Sequence, residues 1–127
     1  MKKRRKYAIL EKIYRKKNFC AKGGRSMKKV LFVDCCIRRE ASRSKELAEY
    51  FIQKLEETGA YEIERLCLMD ENLSYFSDGF FFQREALLAE GKFDHPRFRY
   101  AHRFAAADKI VIAAPFWDLS FPALLKV

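Results

Sequence analysis

A chain of 127 residues, half of them apolar and about a third charged, has material for one buried core and is short for two domains. No run approaches the ~18 apolar residues of a membrane span, and collagen-like and mucin-like compositions are excluded. The net charge of +9 is unevenly placed: residues 1–26 carry 11 Lys and Arg against Glu11 alone, whereas residues 27–127 carry 15 basic and 16 acidic residues. Basicity therefore belongs to a leader, and no nucleic-acid partner is expected of the body.

The leader, MKKRRKYAILEKIYRKKNFCAKGGRS, lacks the uninterrupted apolar stretch of ~7–15 residues that a signal peptide needs. Tyr7, Leu10, Ile13 and Tyr14 fall at helical spacing on a basic background. That pattern suits anionic lipid or RNA, with a solvated, frayed extension as the favoured expectation. Lys22 to Ser26 reads as a flexible joint, and Met27 opens the body. Of the four cysteines, Cys20, Cys35, Cys36 and Cys67, two are adjacent and none makes a CxxC pair. Neither a metal site nor a disulfide framework is expected, and a reducing, cytoplasmic home follows.

In the body, Val30 to Val33 is a short apolar run that suits a strand buried on both faces. Ser42-Arg43-Ser44 opens a helix whose apolar residues Leu47, Ala48, Phe51, Ile52 and Leu55 recur at three and four, and Gly59 ends it. Tyr61 to Leu68 reads as an edge strand of mixed charge. An aromatic stretch, Leu73 to Phe82, follows, its loop carrying Ser77-Asp78-Gly79. A helical pattern then runs from Gln83 to Glu90 and stops at Gly91. His95-Pro96 breaks the chain before a second helical stretch, Phe98 to Ala107. Lys109 to Ala114 is the third and most apolar strand, ended by Pro115. Pro122 to Val127 reads as the first turns of another helix. Strands alternating with helices predict an α/β parallel sheet with right-handed crossovers, with the apolar third strand left at an edge.

Two loops carry the candidate chemistry. The first, Asp34 to Ser44, joins strand one to its helix, at the strand end where doubly wound sheets bind ligands. Ser42 and Ser44 supply hydroxyls, the helix start supplies free N–H groups, and Arg43 supplies charge, a set matched to a phosphate. A plain helix cap is the simpler reading of Ser42. Neither G-x-G-x-x-G nor a P-loop is present. The second loop, Pro115-Phe116-Trp117-Asp118-Leu119, follows strand three, is stiffened by Pro115 and Pro122, and offers an aromatic wall and backbone amides to a flat ring. Taken alone, Trp117 and Phe121 read more simply as core aromatics. Together the loops have the ligand geometry of the flavodoxin-like order, with FMN at the switch between strands one and three.

These residues resemble the flavodoxin-like NAD(P)H-dependent oxidoreductases, the FMN-dependent NADH-azoreductases and NAD(P)H:quinone reductases. The resemblance covers Met27 to Val127 and is most specific from Phe104 onward, through Ala107-Asp108-Lys109-Ile110-Val111-Ile112-Ala113-Ala114-Pro115 into Phe116-Trp117-Asp118-Leu119. It implies that Ser42, Arg43 and Ser44, with Cys36 nearby, take the FMN phosphate, and that Pro115, Phe116, Trp117, Asp118 and Leu119 line the ring. Many members have Ser-Pro where this chain has Cys36-Ile37, and Asn where it has Asp34. It implies two-electron transfer from NADH or NADPH through FMN to a small-molecule acceptor such as a quinone or azo compound, with no side chain acting as a catalytic base. A homodimer is implied for the full-length enzyme. The family sheet has five strands in the order 2-1-3-4-5, of which only 2-1-3 falls within this chain, so a shortened remnant with weak or no FMN binding is the alternative. A leader-driven nucleic-acid or membrane tether is a third reading.

Other residues are set aside. His95 and His102 are expected to be solvated or partly packed, and Cys35 and Cys36 to be small loop residues rather than a redox pair. Asp34 is expected to orient the first loop by accepting backbone N–H bonds. Tyr75, Phe76, Phe80, Phe81 and Phe82 divide evenly between core packing and an interface.

Overall fold

The computed structural model describes residues 27–127; the leader and its aromatic spacing lie outside the described residues. Strand β1 (Lys28–Asp34) is followed by helix α1 (Arg43–Glu57) and strand β2 (Tyr61–Cys67). Helices α2 (Asp78–Ala89) and α3 (Arg99–Ala106) precede strand β3 (Lys109–Ala113), and a short helix α4 (Ala123–Lys126) comes last. The three strands form one parallel sheet in the order β2-β1-β3, the order expected of a flavodoxin-like α/β sheet.

β1 is central because it is apolar on both faces. Val30 and Phe32 join Cys36, Ile52 and Ala113 in one buried cluster, covered by Ala48 and Leu55 of α1. The intervening Leu31 and Val33 join Cys35, Leu66 and Leu68 in a second cluster, covered by Tyr100, Ala107 and the α4 residues Leu124 and Leu125. The period-2 alternation of a strand sends successive side chains to opposite faces, so four consecutive apolar residues found two cores.

Local chemistry sets the helix ends. Ser42 Oγ accepts from Lys45 N at 3.3 Å and caps α1, and Gly59 follows its C-cap at φ +65°. At the end of α2, Lys92 N donates to Leu87 O and Gly91 N to Leu88 O, at 3.0 and 3.3 Å. With Gly91 at φ +71°, this is the Schellman pattern, which absorbs the last carbonyls.

One expectation needs correction, and one reading left open is decided. α2 starts at Asp78, five residues before Gln83, because Ser77 Oγ accepts from Phe80 N at 3.2 Å and Asp78 lies in the first turn. That cap draws the triplet Ser77-Asp78-Gly79 out of the loop and into the helix start. The aromatic group is also not core. Phe76 and Phe80 pack at 4.8 Å between centroids, yet Tyr75, Phe76, Phe81 and Phe82 are all exposed.

Candidate functional site

Both candidate loops leave the same edge of the sheet. β1 ends at Asp34 and β3 at Ala113, and these two are partners in the parallel register. Beyond them the loops stay joined: Cys35 N and Cys35 Sγ both donate to Ala113 O, at 3.0 and 2.9 Å, and Cys36 Sγ reaches the same oxygen at 3.5 Å. One carbonyl of β3 thus anchors two successive residues of the first loop.

Asp34 organises that loop. Buried, it accepts from Cys36 N through Oδ1 at 2.9 Å, and Lys45 Nζ lies 3.6 Å from Oδ2. A buried carboxylate needs such a counter-charge. Glu40, 2.5 Å from the same ammonium, pushes the Lys45 pKa up and keeps it charged. Arg39, at φ +48°, is tied to Asp70 at 2.9 Å, which fixes the loop to the turn after β2. Lys45 was not singled out in the sequence; its role depends on a fold-over of the loop that spacing does not show.

The expected phosphate ligands converge at the start of α1. Ser42 is buried and is indeed the cap, its oxygen accepting from Lys45 N, and its hydroxyl also interacts with the Cys36 thiol. Arg43 is exposed and Ser44 half-buried, and neither side chain makes a hydrogen bond or ion pair among the described residues. Their amides are the first two of a 15-residue helix and have no intrahelical acceptor. The result is a patch of donors beside the Arg43 cation, suited to an oxyanion.

Cys36 is placed differently from its neighbours in the expected set. It is buried, and burial is the main reason its thiol pKa is raised. Cys35 is pushed up to about 11, again chiefly by burial. Both are free thiols, and the raised values hold them protonated at neutral pH, so neither is an activated thiolate.

The second loop is strained. Trp117 and Ser120 exchange both backbone hydrogen bonds, at 3.1 and 2.9 Å, and the two residues between them, Asp118 and Leu119, have φ +50° and +57°. A two-residue turn with both central residues left-handed is the type I′ geometry that normally recruits Asn and Gly. Leucine there is costly and gains no packing, since Leu119 is 89% exposed. Pro115 and Pro122 are buried on either side. Phe116 and Phe121 meet edge to face at 6.4 Å and stay exposed with Trp117. The core reading of Trp117 and Phe121 is thereby overturned. The amides of Phe116, Asp118 and Leu119 have no hydrogen-bond partner among the described residues. A rigid, proline-anchored loop with exposed aromatics and unpaired amides can hold a flat polar ring by face and edge. Sequence reasoning missed the strain, because Leu119 carries no turn signal.

The set-aside histidines are locally engaged. His95 Nδ1 accepts from Arg97 N at 3.2 Å, and His102 Nε2 lies 2.7 Å from Phe93 O. Among the described residues no group of His, Cys, Asp and Glu is placed to hold a metal. A cavity of about 570 Å³ touches Ser42 of the first loop but runs along α1 past Lys45, Glu46, Glu49 and Glu56. Those carboxylates disfavour an anion there.

Comparison with known proteins agrees with this fold. An FMN-dependent NADH:quinone oxidoreductase 2 of Clostridium acetobutylicum is 40% identical over 102 residues, covering 79% of this chain and 50% of the relative. An FMN-dependent NADH:quinone oxidoreductase of Coprothermobacter proteolyticus is 37% identical over 105 residues, covering 79% and 51%. Among solved structures, an azoreductase from Bacillus anthracis superposes with a TM-score of 0.67 at 29% identity, covering 79% of this chain and 52% of that one. The chain thus spans about half the length of the relatives it matches. The profile of the family described as Flavodoxin-like fold matches residues 28–127, and the chain belongs to that family.

Proposed function

We propose that the two loops hold FMN, with its phosphate at the start of α1 and its ring along Pro115 to Leu119, as part of an NAD(P)H-dependent oxidoreductase. The observation that carries this reading is the junction of the loops: they leave register partners Asp34 and Ala113 and are pinned together through Ala113 O. The residues present fit the group. Ser42, Ser44 and Arg43 with two free helix amides match a phosphate, and the strained turn presents unpaired amides beside Phe116 and Trp117. Bound flavin supplies two-electron redox chemistry; the protein's part is to position the ring and exclude water.

The names of the relatives, which act on NADH and quinones, and of the azoreductase structure support NADH as donor and a quinone or azo compound as acceptor. NADPH as donor belongs to the same reading. A homodimer with the acceptor between subunits is supported by the exposed aromatics Tyr75, Phe76, Phe81 and Phe82. Among the described residues no helix is long and apolar enough to cross a membrane, and free thiols at Cys35, Cys36 and Cys67 support a reducing, cytoplasmic setting.

The test is titration of FMN with the purified chain, followed by flavin fluorescence. Saturable quenching is expected, with affinity falling roughly tenfold in Arg43→Gln through loss of one charge-assisted contact, and falling again in Trp117→Ala. A folded chain that leaves FMN fluorescence unchanged overturns the reading and leaves a flavodoxin-like fold without flavin.

A further inference from the structure

Helix α1 turns an unpartnered face to solvent. Its inward residues Ala48, Ile52 and Leu55 pack into the cluster beneath it, but Leu47, Tyr50 and Phe51 are 72%, 61% and 50% exposed. Residues three and four apart are neighbours on a helix, so these three form one apolar strip. Beside it runs the groove of about 570 Å³ bordered by Glu46, Glu49, Gln53 and Glu56. Glu49 and Glu56 share a single guanidinium, that of Arg65, at 2.6 and 3.6 Å. Glu46 makes no ion pair among the described residues. An apolar strip edged by surplus carboxylate is the counterpart of a basic segment with one apolar face.

The chain carries such a segment, and it joins the body at the right place. Residues 1–26 hold 11 Lys and Arg against Glu11, with Tyr7, Leu10, Ile13 and Tyr14 at helical spacing. They enter at the C-terminal end of α1: Lys28 N donates to Ala60 O at 3.0 Å, and Ala60 follows Gly59 just beyond that helix. Residues 15–26, between Tyr14 and Met27, reach up to about 40 Å when extended. The whole of α1, with 15 residues, is only about 22 Å long. Gly23 and Gly24 permit the turn back. The end of α1 nearest this entry is also the negative pole of the helix dipole, which attracts the bases that reach it first.

We propose that the leader docks on the outer face of α1, its apolar residues against Leu47, Tyr50 and Phe51 and its bases along Glu46, Glu49 and Glu56. Exposed ion pairs contribute little singly, so the apolar contact supplies the affinity and the charges fix the position. The covalent link makes docking intramolecular, at an effective concentration of roughly millimolar, so a modest contact suffices.

Paramagnetic NMR on the full, isotopically labelled chain tests this, without flavin and so independently of the FMN reading. A nitroxide is attached at Ala8→Cys in a Cys20→Ser, Cys67→Ser background, where Cys35 and Cys36 are buried away from the reagent. Amide broadening is expected over residues 46–57 and not over α3, on the opposite face of the sheet. It should be roughly halved by Glu46→Lys and again by Tyr50→Ser; both side chains are exposed, so the fold is kept, as circular dichroism checks. Broadening spread evenly over both faces, or unchanged in the two folded variants, overturns the proposal. Equal broadening when the nitroxide is carried by a separate chain places the leader on a second copy and overturns it too. If α1 stays sharp while the chain binds phosphatidylserine vesicles, the leader is a membrane tether and the dock is refuted.

Discussion

Ser44 and Cys35 separate two demands made on the first loop, binding and stability. Ser44 is the second residue of α1 and half-buried, so Ser44→Asp adds a negative charge where the helix dipole favours one. Chemical denaturation should show stability unchanged or raised by about 0.5 kcal/mol, while FMN affinity falls because the new carboxylate repels the phosphate. A parallel loss of both would mean that Ser44 serves the fold alone. Cys35 tests the anchor to β3. Its thiol is fully buried and pushed up to about 11 from an ordinary 9.0, so folding favours the protonated form. That contribution is present below pH 9, where the unfolded thiol is also protonated, and is lost as pH rises through about 11. The stability difference between the native chain and Cys35→Ala, from urea unfolding at each pH, should shrink across that window by up to about 2 kcal/mol. A constant difference would remove the buried thiol as its cause. The hydroxyl-rich helix start, with Ser42 as its cap, was legible in Ser42-Arg43-Ser44. The Lys45–Asp34 pair was not, since it depends on the turn at Arg39 rather than on any periodicity.

At the scale of the element, the turn at Asp118 and Leu119 departs most from what its residues prefer. Leu119 holds φ +57° with its side chain in solvent, so removing the side chain relieves strain and forfeits little packing. Leu119→Gly should raise stability by about 0.5–1 kcal/mol, the left-handed penalty less glycine's entropy cost. Leu119→Val should lower it, because a branched β-carbon tolerates positive φ worst. Thermal unfolding of the two variants decides the matter, and destabilisation by glycine would show that the leucine makes an unrecognised contact. Strain of this kind is found where backbone groups are aimed at a ligand. Helix α2 teaches the complementary lesson. Ser77 and Asp78 are ordinary start signals, but five aromatic residues around them mask the helical period, and the helix reads as beginning at Gln83. The regular elements β1, α1, β2 and β3 were legible because their patterns and stops agree: apolar runs for β1 and β3, a mixed-charge alternation for β2, and Gly59 at the end of α1.

For the whole molecule, the sheet order follows from how much apolar surface each strand must hide. β1 is buried on both faces and takes the centre, while β2, with Glu62, Glu64 and Arg65, sits at an edge, Glu64 engaged by Lys29 and Arg103 and Arg65 by Glu49. β3 breaks this economy. It is strongly apolar, yet among the described residues it pairs with β1 alone, and Ile110 and Ile112 are 42% and 45% exposed. Alternate residues of a strand share a face, so the two isoleucines form one apolar strip beside an open row of backbone groups. Such an edge pairs with whatever strand reaches it, and lysine is the usual protection against promiscuous pairing. The double substitution Ile110→Lys and Ile112→Lys should therefore leave far-ultraviolet circular dichroism unchanged while lowering light scattering and shifting the size-exclusion profile towards monomer. Loss of helix and strand signal instead would mean that the strip is structural despite its exposure. If the fold persists and association does not change, the copies meet elsewhere, and the exposed aromatics of α2 become the surface to substitute next.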